Sequence, residues 1–334
     1  IVIGGGNIFR GSSADSKGIV TVSRSDSQIT EHYLQRCMEQ ASTINLPEDR
    51  EIIHVIPQDF MVDEQEGIKD PVGMAGVRIQ GNVHIVTAAV TSARNIFNSV
   101  TKAGIDTQDV VLEPLASSYA VLNDDERELG CAVIDMGGGT TDVAVYMNES
   151  IRYTNSIEFG GANVTSDLAF ALRTPSAQAE EIKRKHGACE LSNIEEESIM
   201  VPGVGGAKDR EVENSFIAKV IRARMHEIFT MVASDLRRQK VLNQLGAGII
   251  LTGGGSLCKG ADKLAEEVKL PKNYNPKHLT DELIKKPTKR ESIEFRENAE
   301  IYSMFLRPSD IETECFRKIE ADKFLDELYR GIEE

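Results

Sequence analysis

Residues 132–146 read Ala-Val-Ile-Asp-Met-Gly-Gly-Gly-Thr-Thr-Asp-Val-Ala-Val-Tyr, a concentration of groups suited to holding phosphate. An apolar run ends in Asp135. Three glycines and two threonines follow, and Asp142 then opens an alternating run with Val143 and Val145 on one face. The pattern predicts strand, tight glycine loop, strand. A loop without side chains lets backbone N–H groups converge on a phosphate, and threonine hydroxyls add donors. Asp135 at the strand end can hold a hydrated Mg²⁺, which takes one or two carboxylates together with waters and phosphate oxygens. The chemistry implied is a nucleoside triphosphate site. A bare Gly-Gly-Gly would read as a hairpin turn; the flanking Asp and Thr-Thr-Asp tip the balance. No Gly-x4-Gly-Lys-Ser/Thr occurs, which excludes a P-loop. No strand runs into a Gly-x-Gly-x-x-Gly that opens a helix, which argues against a dinucleotide fold.

Three other groups carry candidate chemistry. Thr252-Gly253-Gly254-Gly255-Ser256 follows an apolar strand and precedes a helix, so its backbone can approach a planar or anionic ligand; alone, it is equally a simple turn. Glu180 and Lys183 stand at i, i+3 on a helix, where they form either a surface ion pair or a grip on two ribose hydroxyls. Glu113 ends a predicted strand before Pro114. It is either a plain strand-end carboxylate or a group that orients water for attack on a γ-phosphate.

The elements that position these residues follow from periodicity and punctuation. Ile1–Ile3 breaks into Gly4-Gly5-Gly6, and Gly18–Val22 reads as a strand. A helix is predicted after Thr30, a good N-cap, with Tyr33, Leu34, Cys37, Met38 and Ala41 on one face. Ile52–Ile56 is a strand that Pro57 should stop. Gly67–Gly81 reads as loop and hairpin, Val83–Val90 as strand, Ser92–Ala103 as helix. Ile29–Ala103 is therefore expected to be a compact αββα-like unit. Val110–Leu112 reads as a strand and Leu115–Leu122 as a helix. Beyond the glycine hairpin come a strand (Ile151–Phe159) and helices at Val164–Leu172 and from Pro175 to about His186. A loop at Pro202–Gly206 and a long amphipathic helix (Phe216–Leu242) follow. Last are a buried-type strand (Ile249–Leu251) and a helix from about Gly260.

A chain of 334 residues is long enough for two domains. Its net charge of −15 argues against nucleic acid as a partner, because phosphate backbones call for Lys/Arg patches. The five cysteines are scattered, odd in number and without Cys-x-x-Cys spacing, which fits reduced thiols in a cytosolic protein. No apolar run approaches a membrane span and no signal peptide precedes the first strand.

Asp-Met-Gly-Gly-Gly-Thr-Thr-Asp resembles the second phosphate loop of the actin superfamily, and Thr252–Ser256 resembles its adenosine loop. More specifically, five segments resemble the bacterial FtsA family: Ile53–Gln58, Asp70–Arg78, Val83–Thr87, Leu112–Ser118 and Leu172–Pro175. The likeness covers roughly residues 1 to 270. It implies an α/β, actin-like (ribonuclease H-like) two-domain ATPase fold with an FtsA-type 1C subdomain. The implied division is 1–28 with 104–133 as a partial subdomain 1A, 29–103 as subdomain 1C (SHS2-like), and 134–163 with 247–270 as 2A. Residues 164–246 would be 2B, and 271–334 a divergent charged tail.

What the resemblance implies for function is an ATP-binding division protein. Its relatives polymerise into actin-like filaments, link FtsZ to the inner face of the membrane and recruit later division proteins through 1C. ATP acts mainly as an assembly switch, with at most weak hydrolysis. Carried over by motif, Gly137, Gly138, Gly139, Thr140 and Thr141 would hold phosphates and Asp135 a Mg²⁺ through water. Glu113 would position water, Glu180 and Lys183 would hold ribose, and Gly253, Gly254 and Gly255 would back the adenosine. Arg224 on the long helix is the implied contact for the FtsZ C-terminal tail. The protein would sit in the cytoplasm, peripheral to the membrane at the division site.

Two departures bear on this. The family's N-terminal Asp-x-Gly-Thr phosphate loop is not found, so this chain is expected to bind ATP more weakly than a version that carries it. After about Pro271 the family pattern fades into a charged, helix-prone stretch whose end, Phe324–Arg330, is amphipathic but acidic. Membrane-surface helices usually carry Lys and Arg on the polar face, so this stretch is not expected to be the anchor. The rival reading is an ATP-turnover enzyme of the same superfamily, a sugar kinase or chaperone-type ATPase. A kinase would need an acceptor pocket with its own base, and a chaperone a substrate-binding domain; the sequence shows neither.

Overall fold

The computed structural model describes residues 12–21, 28–107, 110–192, 197–203, 208–268 and 270. The predicted segment Ile1–Gly6 and the charged stretch from Lys272 onward lie outside the described residues, as does part of the predicted loop at 202–206.

The first part of the chain builds an antiparallel sheet from β1 (Ser12–Thr21), β2 (Arg50–Val62), β3 (Gln65–Ile68) and β4 (Arg78–Ala89), in the order β1-β4-β2-β3. Helices α1 (Glu31–Ala41) and α2 (Val90–Lys102) flank it. Tyr33, Cys37 and Ala41 recur every four residues on α1, which puts them on one stripe. Tyr33 and Cys37 pack with Phe60, Val62 and Ile79 of the sheet. Thr30 sits at the N-cap position as expected, but its side chain makes no capping hydrogen bond.

Three strand limits differ most from the sequence reading, the first being β1, which begins at Ser12 rather than Gly18. β2 does not stop at Pro57 but continues to Val62. Pro57 lies where the register against β4 shifts, and β3 pairs with β2 only from Phe60 onward, so the missing N–H breaks no ladder. β4 begins at Arg78, inside the segment read as loop, because its register with β1 and β2 runs through Gly81 without interruption.

The second sheet holds β5 (Cys131–Met136), β6 (Thr141–Met147), β7 (Ser150–Ile157) and β10 (Gly248–Thr252), in the order β10-β5-β6-β7. Strands β5, β6 and β7 form an antiparallel meander, whereas β10 joins β5 in parallel. Between β7 and β10 the chain forms α5 (Gly161–Leu172), α6 (Ser176–His186), the small hairpin of β8 (Ser198–Val201) and β9 (Arg210–Glu213), and α7 (Asn214–Arg238). A 3₁₀ turn (Gly254–Leu257) and α8 (Ala261–Glu267) follow β10. The β8–β9 hairpin is not anticipated in the sequence reading.

Both faces of this sheet are covered, and strand alternation assigns each residue to one. Ala132, Ile134, Met136, Val143, Val145, Ile249 and Leu251 enter the large core under α5, α7 and α8. Phe229 of α7 is fully buried there, worth about 1.5–3 kcal/mol for a side chain of this kind. The alternate residues Cys131, Val133, Ala144, Tyr146 and Ile250 meet Leu115, Ala116 and Val121 on the opposite face. Those three belong to α3 (Glu113–Val121), which α4 (Asp124–Leu129) follows. Val110–Leu112, read as a strand, is not one, and Glu113 is the first residue of a helix rather than the end of a strand. Pro114 explains this: its fixed φ and missing N–H suit the first helical turn, where N–H groups have no partner inside the helix. Among the described residues no helix is long and apolar enough to cross a membrane.

Candidate functional site

The β5–β6 hairpin is the centre of the candidate site. Asp135 and Asp142 face each other across it, and the N–H of Gly137 donates to the carbonyl of Thr140 at 2.9 Å to close the turn. Period-2 alternation places both carboxylates on the α3 face. There the hydroxyl of Ser117 donates to Asp135 Oδ2 at 2.5 Å, and that of Thr140 donates to Asp142 Oδ2 at 2.9 Å. Both carboxyls are buried. Burial raises the pKa of Asp135, opposed by the Ser117 hydrogen bond. Burial raises Asp142 to about 6; hydrogen bonds from Ser156 and Thr140 oppose the shift, and the neighbouring Asp135 adds to it. Gly138 and Gly139 at the tip are exposed, and a side chain on Gly138 would meet open space.

Helix α5 begins on this tip. The N–H groups of Gly161 and Ala162 donate to the carbonyls of Gly137 and Gly138 at 2.9 and 2.7 Å. The approach needs Gly160, because a Cβ there would lie 2.6 and 2.7 Å from those same carbonyl oxygens. Lys183 reaches in from α6. Its Nζ donates to Gly161 O (3.0 Å) and Thr165 Oγ1 (2.8 Å) and pairs with Glu180 at 2.6 Å. Thr165 in turn donates to Glu180 Oε2 at 2.5 Å. Burial pushes the Glu180 pKa up, but the contacts with Lys183 and Thr165 outweigh it and hold the carboxyl below its usual range. The i, i+3 pair is therefore real, and it is directed at the start of α5 rather than at solvent alone.

The second glycine turn closes the other side. Thr252 pairs with Asp135 in the parallel ladder, and Gly253 turns away with φ of 80°. A Cβ at Gly253 would fall on Asp135 Oδ1, and one at Gly255 would lie 2.7 Å from Met136 Cβ. Gly254, like Gly138, faces open space. The Ser256 hydroxyl donates to Gly253 O at 2.7 Å and holds the turn. The Thr252 hydroxyl is buried on the Asp135 face and has no hydrogen-bond partner among the described residues.

Asp135, Gly137–Thr141, Glu180, Lys183 and Gly253–Gly255 thus surround one hairpin tip. Glu113 lies one turn before Ser117 on α3, on the same helix face. The start of α3 is held to the first sheet, because the N–H of Leu112 donates to His54 Nε2 at 3.0 Å. Ser117 is the residue that sequence reasoning missed; its signal is the four-residue spacing from Glu113. Arg224 stands apart. Its Nε and Nη2 donate to the two oxygens of Asp167 on α5 (2.6 and 3.1 Å), and Nη1 meets Glu227 at 2.6 Å. Two glycine turns with exposed tips, a lysine ammonium and a buried carboxylate at one sheet end suit a phosphate chain with a hard divalent cation.

Comparison with known proteins bears on the family and the fold. The family model described as cell division protein FtsA matches residues 132–301, and that of the SHS2 domain inserted in FtsA matches residues 10–87. The chain is 42% identical over 283 residues to the cell division protein FtsA of Pseudomonas aeruginosa, covering 83% of this chain and 67% of that one. It is 42% identical over 266 residues to that of Neisseria meningitidis serogroup B, covering 79% and 63%. The chain therefore spans about two thirds of the length of these relatives. Among solved structures, the PilM–PilN type IV pilus biogenesis complex is similar in fold, with a TM-score of 0.52 at 17% identity, covering 79% of this chain and 66% of that one.

Proposed function

The chain belongs to the FtsA family of cell division proteins and has the actin-like fold, and from that premise we propose that it binds Mg-ATP at the β5–β6 hairpin and acts as an assembling adaptor. The observation that carries this reading is the convergence of two glycine turns, Asp135 and Lys183 on one sheet end.

In this reading the loop Gly137–Thr141 takes the phosphates, and Glu180 and Lys183 the ribose. Gly253–Gly255 lie against the adenosine. Asp135 would hold Mg²⁺ through water, kept in orientation by Ser117. When bound, the metal would supply neutralisation of phosphate charge. Glu113, at the start of α3, would orient a water for slow hydrolysis. ATP then serves mainly as an assembly switch.

The adaptor role comprises actin-like self-assembly, capture of the FtsZ C-terminal tail near Arg224, and contacts with later division proteins through the sheet of β1–β4. Its place would be the cytoplasmic face of the division site. The subdomain division given above belongs to the same proposal, with β1 joined to 1C because it pairs with β4 in that sheet.

Two measurements test it. Titration with a fluorescent ATP analogue and Mg²⁺ should saturate, and co-pelleting with FtsZ should vanish when the FtsZ tail is deleted. Rapid ATP turnover, or phosphoryl transfer to a sugar, would replace the adaptor reading with the enzyme one.

A further inference from the structure

Two cysteines far apart in the chain meet beside the second glycine turn. Cys189 follows the end of α6, and Cys258 ends the 3₁₀ turn; their sulfurs stand 3.2 Å apart as free thiols. The backbones are already joined there. The N–H of Cys189 donates to Lys259 O at 2.6 Å, and Ala188 and Lys259 form a parallel bridge. A disulfide needs sulfurs about 2.05 Å apart, so closure takes a movement of about 1 Å between chains that are already aligned. Among the described residues, the pair belongs to no group of three or more His, Cys, Asp or Glu that could hold a metal ion.

The geometry points to Cys189 and Cys258 as a reversible dithiol–disulfide site, oxidised by a peroxide, that ties the end of α6 to the Gly254–Leu257 turn. The two thiols have distinct roles. Cys258 is partly exposed and Cys189 fully buried, so Cys258 meets the oxidant and Cys189 resolves it. Their mutual hydrogen bond lowers the pKa of Cys258, with help from the charge of Lys183, and raises that of Cys189. The Cys258 thiolate attacks one peroxide oxygen, and the O–O bond breaks. The departing hydroxide takes up a proton to become water and leaves a sulfenic acid. The Cys189 sulfur then attacks Cys258 Sγ, the S–O bond breaks, and the hydroxyl leaves with the Cys189 proton as a second water. Two thiols and one peroxide thus give one disulfide and two waters, with two electrons passed from sulfur to oxygen. The bond does not depend on the nucleotide reading.

The test treats the whole protein with hydrogen peroxide, blocks remaining thiols, and maps peptides without reduction. The expected result is a peptide linking Cys189 to Cys258, lost on adding dithiothreitol, with Cys37 and Cys131 still alkylated. The oxidised protein should also melt at a higher temperature than the reduced one. Cys258→Ser should remove the link while keeping the wild-type circular dichroism; Cys189→Ser should instead let Cys258 proceed to sulfinic acid. Retention of both thiols, or oxidation of Cys258 beyond sulfenic acid in the wild type, would overturn the proposal. So would pairing of Cys258 with another cysteine.

Discussion

Replacing Gly253 with alanine puts a methyl group where the structure has none to spare. The residue has φ of 80°, and its Cβ would fall on Asp135 Oδ1 and lie 2.8 and 2.9 Å from the backbone O and N of Met136. With ψ of 171° this is a backbone region that essentially only glycine enters, and it costs an L residue about 1–3 kcal/mol. Crowding against a carboxylate and a strand backbone that cannot yield adds about 1–3 kcal/mol. Gly253→Ala should therefore lose about 2–6 kcal/mol of stability. Gly254→Ala is the control. That position has no positive φ and nothing within 4 Å of its Cβ, so its change should stay within about 0.5 kcal/mol. Urea unfolding followed by circular dichroism reads both, with midpoints compared at matched slope. Equal midpoints for the two variants would refute the argument, because they would show that the turn relaxes freely around Asp135.

Three further outcomes are expected. Asp142 titrates near 6 in the fold, against 3.8 for an ordinary carboxyl, so the native state binds its proton more tightly than the unfolded chain. Its contribution is full below about pH 4 and is lost as pH rises through about 6, a span of about 3 kcal/mol; Asp142→Asn should flatten that slope in urea titrations from pH 4.5 to 7.5. Arg224→Ala removes the two-pronged tie between α7 and α5 and should cost about 1 kcal/mol at this partly exposed position, read as a lowered unfolding midpoint; no change would mean that the pair is not formed in solution. Lys183→Met should weaken binding of a fluorescent ATP analogue on the order of tenfold, since a charged donor contributes roughly 1.5–3 kcal/mol; unchanged affinity would remove Lys183 from the site.

Much of this arrangement is legible in the sequence because glycine and proline punctuate it. The hairpin around Gly137–Gly139, a helix ending at Leu172 (read from Val164, observed from Gly161) and the strand before Gly253 come from such marks and from alternation. The same marks mislead where tertiary pairing overrides them. Pro57 reads as a stop but is absorbed by a register shift, and Glu113-Pro114 reads as a strand end but opens a helix. Non-local pairs leave no sequence trace. Cys189 and Cys258 look scattered until α6 and the turn after β10 are brought side by side. Asp235 reads as one charge on a long helix, yet it is buried and accepts hydrogen bonds from Tyr153 (2.7 Å) and Asn155 (2.9 Å) of β7.

The parallel pairing of β10 with β5 has a consequence for how the chain matures on the ribosome. The β5–β6 hairpin and the start of α5 are local and can form as soon as they emerge, whereas Gly248 must return to Cys131 past three helices and a second hairpin. Such long-range pairings form late. Until then β5 is an open edge, with its N–H and C=O groups available to any other strand. A nascent chain halted before residue 248 is thus left with a sticky border and without the Gly253–Gly255 turn, and arrival of β10 supplies both the missing neighbour and that turn in one step.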